Sequence, residues 1–566
     1  MRKRQSLRST RKLTIVAQDP AFRSGGRILR ADVDVPAEAL LPGPCGYRVN
    51  VIDYDATANV LYSQAKLGSG LDEDNDLFAD APDAELLGSP TFHAQNVYAI
   101  AMRVLSRFEF ALGRRVPWGC AGHQLHIAPH AFAEPNAFYS REDRALFFGY
   151  FSGALDGAPI LTCLSHDVVA HETTHALLDG LRPGFLEPSS PDQAAFHEAL
   201  GDVVALLSVF SLKPVLDALL ADESDNQLVP VERLTLNALV QSALFGLAEQ
   251  MGQEVAGVRG KALRRSVELP PGRNYLADPA FAEEHMRGEL IVAAIMRSFL
   301  KVWLRRLERV GTIREGFKDK SLVIEEGSSA ADHLLTMAIR AIDYCPPIEL
   351  SFSDYLSALL TVDSEVVPDD RYGYRDALLA GFRDYGIRPS KNAGKDGSWL
   401  RCAREMVHSR THFDSMLRDR EEVFRFVWEN RENLQISTLG YIEVQSVRPS
   451  VRISPEGFVL KETIAEYLET LTLNAGELRK LEVEVPEELR DWSRVTLLGG
   501  GTIVFDEYGQ VKYQIASHLL RTAEDRKRQG RRIRHLFERG FFDQPSDGSS
   551  RFAMMHMVRG ASGGPA

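Results

Sequence analysis

The stretch His166-Asp167-Val168-Val169-Ala170-His171-Glu172-Thr173-Thr174-His175-Ala176-Leu177-Leu178-Asp179-Gly180-Leu181 has no proline and reads as a helix. It carries H-E-x-x-H from His171 to His175. On a helix, positions i and i+4 share a face, so both imidazoles can meet one metal ion. Zinc suits two neutral ring nitrogens at about 2.0–2.1 Å. Glu172 lies about 100° round the helix from His171, near enough to take a proton from a metal-activated water without binding the metal itself.

A catalytic zinc takes three protein ligands and keeps one position open. The longer pattern H-E-x-x-H-x-x-G-x-x-H fails here, because Leu178 and Leu181 stand where its Gly and last His would be. An acidic third ligand remains. Phe196-His197-Glu198-Ala199-Leu200-Gly201-Asp202 places Glu198 23 residues after His175, with Asp202 one turn on along the same face. Glu198 fits a metal ligand, and Asp202 fits a carboxylate that orients a ligand imidazole. The segment continues Val203-Val204-Ala205-Leu206-Leu207, buried in character, and buried carboxylates need partners. Ser190 is its expected N-cap, with Pro191 in the first turn.

Working outward, the chain has 566 residues, 44% apolar and 25% charged, which excludes a disordered, collagen-like or disulfide-scaffold protein. Lys plus Arg is 66 and Asp plus Glu is 78, so the net charge is 66 − 78 = −12. That sign speaks against general nucleic-acid binding. The five cysteines form no CxxC pair and read as reduced thiols. The basic start Met1-Arg2-Lys3-Arg4 has no apolar run behind it, and no stretch reaches the ~18 apolar residues of a membrane helix. The expectation is a cytoplasmic protein with no membrane and no nucleic-acid partner; export without a signal peptide is compatible with it.

The fold class expected is α+β: an N-terminal β-rich lobe, a C-terminal helical lobe, a zinc cleft between them, and an extra C-terminal α+β unit. Residues 1–90 hold a basic arm (to about residue 15) and a β-rich region. Residues 91–210 hold the zinc helices, and a helix over Thr91–Gly113 precedes them. Residues 211–388 are helical, 389–398 are a linker by composition, 399–550 are mixed, and 551–566 form a disordered tail. A hairpin is expected around Asp506-Glu507-Tyr508-Gly509.

On these motifs the chain resembles the thermolysin-like gluzincin metallopeptidases. Asp167–Asp179 looks like that family's zinc helix. His197-Glu198-Ala199-Leu200-Gly201-Asp202 looks like its third-ligand helix, usually N-E-A-x-S-D, with His197 in place of Asn. Asp179, His197 and Asp202 then support the ligands His171, His175 and Glu198. Asn136-Ala137-Phe138-Tyr139 resembles the edge strand that holds a peptide substrate as an added strand. His285, just before a helix expected at Gly288–Arg305, falls where the family carries a histidine that donates to the oxyanion. The resemblance implies one zinc per chain, a peptide or protein substrate, and Glu172 and His285 as catalytic residues. With no G-x-M-E-N motif to read a free N-terminus, it implies endopeptidase action.

The chain also departs from the pattern. Asp179 to Asp192 contains no Tyr to assist the oxyanion; Phe185 and Leu186 occupy that region. The family's calcium-binding carboxylates are missing, since Val209–Leu212 is apolar. Arg264, Arg265 and Arg273 are candidates for the arginine that holds the substrate carbonyl. His93, His123, His126 and His130 cluster upstream without a carboxylate spacing that would make a second metal site. Two alternatives stand beside the peptidase: a zinc hydrolase acting on another substrate, and a low-activity or inactive zinc-binding scaffold. An intact Glu172 argues against the scaffold, which has no use for a general base.

Overall fold

The computed structural model describes residues 9–67, 76–120, 122–153, 158–186, 189–221, 227–240, 269–453 and 457–542. The terminal residues of the basic arm, the tail, Arg264 and Arg265 lie outside the described residues. The fold is α+β.

Strand β1 (Thr10–Val16) pairs antiparallel with β2 (Arg30–Pro36). Residues 10–15 are therefore not part of a basic arm. Leu13 and Ile15 are fully buried, and their hydrophobicity outweighs the neighbouring Arg11 and Lys12. A mixed sheet follows. Strands β3 (Val49–Val51), β4 (Leu125–Phe132) and β6 (Ala145–Ser152) run parallel. Strands β5 (Ala137–Ser140) and β7 (Pro159–Leu161) join β6 antiparallel. A short hairpin of Tyr54–Asp55 with Val60–Leu61 lies beside that sheet.

Against these strands lies α1 (Pro90–Leu112), capped by Ser89 and ended by Gly113 in the left-handed region at φ 65°. Behind it come α2 (His166–Leu181) and α3 (Pro191–Phe210). The Ser190 hydroxyl accepts from Gln193 N at 3.2 Å, and Pro191 opens the helix as expected. In α2, Thr173 and Thr174 satisfy their buried hydroxyls on Val169 O and Ala170 O, each at 2.7 Å. The α3 helix is long and apolar enough to cross a membrane, but it is mostly buried inside the molecule. It packs on α2, on α4 (Glu284–Glu308) and on α5 (Lys320–Arg340). The helical lobe closes with α6 (Phe352–Val366) and α7 (Tyr374–Arg383).

Arg388–Ser398, read as a linker by composition, lies bonded onto this lobe. Ser390 N donates to Ser357 Oγ at 3.0 Å, and the buried Trp399 donates to Thr361 Oγ1 at 2.7 Å and to Tyr344 O at 2.9 Å. The indole that ends the stretch needs a buried site, and that anchors the stretch.

The last unit is an antiparallel meander of β8 (Tyr441–Ile453), β9 (Val459–Asn474), β10 (Arg494–Phe505) and β11 (Val511–Ser517), followed by α8 (Ala523–Glu538). Asp506–Gly509 forms its expected turn. Gly499-Gly500-Gly501 sits inside β10, where a Cβ on Gly500 would meet Tyr467 O at 2.3 Å.

This sheet shares the main core through Val504, Tyr513 and Ile515. Buried ion pairs add to the join. Arg114 reaches Asp343 at 2.6 Å and Arg182 reaches Glu466 at 3.0 Å. Arg452 pairs with both Asp343 and Glu462. Burial pushes the Asp343 carboxyl up, but Arg114 and Arg452 outweigh it and hold the group well below the usual carboxylate range. Removing one partner of such a network leaves buried charge uncompensated. Arg452→Ala is expected to cost about 3–5 kcal/mol of stability, read by chemical denaturation. A loss under about 1 kcal/mol would mean the network does not hold the units together.

Candidate metal centre

Helices α2 and α3 cross so that Glu198 faces both histidines of the H-E-x-x-H turn. Glu198 Oε2 lies 3.7 Å from His171 Nε2, and Glu198 Oε1 lies 3.7 Å from His175 Nε2. Both distances exceed a hydrogen bond. Two atoms bound to one tetrahedral ion at about 2.0–2.1 Å lie about 3.4 Å apart, close to what is seen. His171, Glu172 and His175 are all buried, with ligand atoms within 4.8 Å of one another, and the set could hold a metal ion. His175, His197 and Glu198 meet the same description.

The surroundings orient these groups. His171 Nδ1 is 2.8 Å from Asp202 Oδ1. A carboxylate there keeps the proton on Nδ1 and leaves Nε2 to point at Glu198. His175 stacks on His197, with ring centroids 4.6 Å apart and planes 21° apart. The approach of the helices depends on Gly201, where a Cβ would sit 2.8 Å from the His171 ring. Sequence reading passed over Gly201; its signal was a glycine inside an apolar helix, which marks close packing.

His285 also reaches the site. Its Nε2 is 3.3 Å from Glu198 Oε2 and its Nδ1 is 3.3 Å from Glu283 Oε1, with the side chain 37% exposed. It does not precede its helix, as expected, but lies in the first turn of α4. Glu283 caps that helix by accepting from Met286 N at 2.9 Å, so the helix starts four residues before Gly288. Gly288 resembles a helix start, yet it lies within α4, where a Cβ would meet Ala195 O at 2.9 Å.

Asp179 stands one turn beyond His175. Its partners are Tyr139 Oη at 2.9 Å and Arg141 at 3.5 Å, so it ties α2 to strand β5. Asn136 lies just before β5, and its Oδ1 accepts from Ala137 N at 2.9 Å. Ala137 is buried, and Phe138 stacks between Phe132 and Phe147. Among the described strands, β5 pairs with β6 alone, so it is an edge. Phe185 is buried against Phe196 in the core. Arg273 pairs with Asp278 at 2.6 Å.

The upstream histidines assemble separately. His93 Nδ1 and His130 Nε2 are 2.9 Å apart, a hydrogen-bond distance, and His130 Nδ1 is 2.8 Å from Asp53. Cys163 lies beside them, and the three ligand atoms are within 4.8 Å of one another. No protein-family model and no curated protein matches the chain.

Removing the orienting carboxylate in Asp202→Ala is expected to weaken metal binding about 10–100-fold, read by competition with a chelator. An affinity equal to the parent's would detach Asp202 from the site.

Burial raises the Asp179 carboxyl to about 6 against the opposing effects of Arg141 and Tyr139. The unfolded value is about 3.9, so the folded chain holds this proton more tightly. Its effect on stability is therefore a penalty, absent below about pH 4 and complete above about pH 6. Asp179→Asn is expected to flatten the melting temperature across that window. A variant whose melting temperature still falls there as the parent's does would exclude Asp179 as the source.

Proposed function

We propose that the protein is a zinc-dependent endopeptidase of thermolysin-like type, acting inside the cell on a peptide or protein. The observation that supports this most directly is Glu198 facing His171 and His175 with one carboxylate oxygen each, beside a buried Glu172. The ligand set of two imidazoles and a carboxylate suits zinc. When bound, zinc supplies Lewis acidity, polarising a carbonyl and making water acidic near neutral pH.

The chain's own residues do the rest. Glu172, next to the ligand His171, takes the proton of the attacking water and passes it to the leaving amine. His285 Nε2 donates to the oxygen that gains charge. The open edge of β5 offers backbone groups to an extended substrate, which must pair its own amides on entering a cleft. Asn136 stands at the start of that edge, and its side chain carries a donor that can pair with a substrate amide. Asp179 to Asp192 contains no Tyr to serve as a second oxyanion donor, so turnover is expected to be slow by the order of 10²–10³.

Digestion of a peptide library with and without chelator tests the reading. Chelator-sensitive cleavage within peptides is expected, and no cleavage by the zinc-loaded protein would overturn it. Glu172→Gln is expected to keep the metal and drop hydrolysis below a few per cent; full activity would assign the proton transfer to another group. Asn136→Ala is expected to lower kcat/KM by roughly one to two powers of ten at constant melting temperature. A lower melting temperature instead would make its bond to Ala137 N the main role of Asn136.

A further inference from the structure

A cavity of about 1100 Å3 lies between the helical lobe and the last unit, away from the metal residues. One wall is formed by Ser189–Asp192, Glu349–Asp354 and the Arg388–Asn392 strap; the other by Arg404, the end of β11 and the start of α8. It is larger than a single ion needs and lies at the upper end of small-ligand pockets, about 300–1,000 Å3.

The charges of its lining do not cancel. Each carboxylate already has a partner, Glu349 and Asp525 sharing Arg528. Asp192 is 2.5 Å from Arg287, outside the cavity. Glu349 pairs with Arg528 at 2.5 Å, Asp525 with Arg528 at 2.8 Å, and Glu524 with Arg531 at 3.2 Å. Asp354 is bonded to Ser351 Oγ at 2.6 Å in a helix cap. Arg388, Lys391, Arg404 and Arg521 are exposed and line the same cavity, and among the described residues none has a carboxylate at salt-bridge distance. Arg404 donates only to a carbonyl, Asn433 O.

These four charges come from three separate segments of a chain whose net charge is −12. Arg404, Arg521 and Arg528 converge on His518: burial first, and these positive charges against the opposing carboxylate of Asp525, hold its imidazole below the ordinary value. Like charges brought together around one cleft repel one another unless an anion joins them, and a cluster of cations with no carboxylate at salt-bridge distance concentrates such an anion.

We propose that this cavity binds a compact polyanion with clustered phosphate groups, held by Arg388, Lys391, Arg404 and Arg521 and bridging the helical lobe to the last unit. Guanidinium forks match phosphate oxygens in pairs, and several cations around one opening suit several charges on one ligand rather than a single carboxylate. The ligand could be a phosphate chain or a nucleotide, since both present the same groups. The proposal does not depend on the peptidase reading.

Calorimetric titration of the full chain with sodium tripolyphosphate tests it, with ATP as a second arm. Saturable, salt-sensitive binding is expected, weakened at least about tenfold in Arg388→Gln/Arg404→Gln/Arg521→Gln. The three side chains are exposed, so the variant's unliganded melting temperature should match the parent's. ATP binding more tightly than tripolyphosphate would assign the site to nucleotides; equal or weaker binding would assign it to the phosphate chain. No binding, or binding unchanged in the triple variant, would overturn the proposal. So would tighter binding of a glutamate-rich peptide than of either phosphate ligand.

Discussion

A carboxylate held among imidazoles sets the geometry of this molecule's centre. Glu198 is buried, and a buried charge is costly unless other groups compensate it. Three histidines on two other helices face it, His171 and His175 on α2 and His285 on α4, with ring nitrogens 3.3–3.7 Å from its oxygens. The requirement fixes the relation of α2, α3 and α4 more tightly than apolar packing alone, because each ring must present a nitrogen to a particular oxygen. Gly201 is part of the same constraint, since any side chain there would push the His171 ring away.

The last unit is bound to this centre by charge as well as by packing. Arg182 directly follows α2 and reaches Glu466 on β9, while Arg448 on β8 donates to Leu181 O at 2.7 Å. The end of α2 is thus held by the meander. Losing one member of such a network is costly, yet the network as a whole is not strongly stabilising, so its main effect is to specify one docking geometry. The basic cavity opens along the same junction, and its occupant would touch the two bodies that the ion pairs join.

Much of the candidate site was legible in the chain. H-E-x-x-H and Glu198–Asp202 are i, i+4 patterns, which a helix converts directly into shared faces. The limits of α2 and α3 follow from equally local signals: Ser190 and Pro191 at one start, and a run without helix breakers in the other. Local chemistry misled where two readings share one signature. Glycine at 288 suggested a helix start but is a packing contact, and Glu283 is the actual cap. Lys, Gly and Ser at 388–398 suggested a free linker, but Trp399 at its end is buried.

The sequence by itself determined the candidate donor residues, the helices that carry them and the α+β class, because these rest on spacing along one chain. Only the tertiary structure decided which pairs meet across it: Asp202 with His171, Asp179 with Tyr139, His285 with Glu198, and Arg182 with Glu466. It also decided that four cations from distant segments line one cavity. Contacts between residues far apart in the chain depend on how helices cross and strands register, and no periodicity of a single segment encodes that.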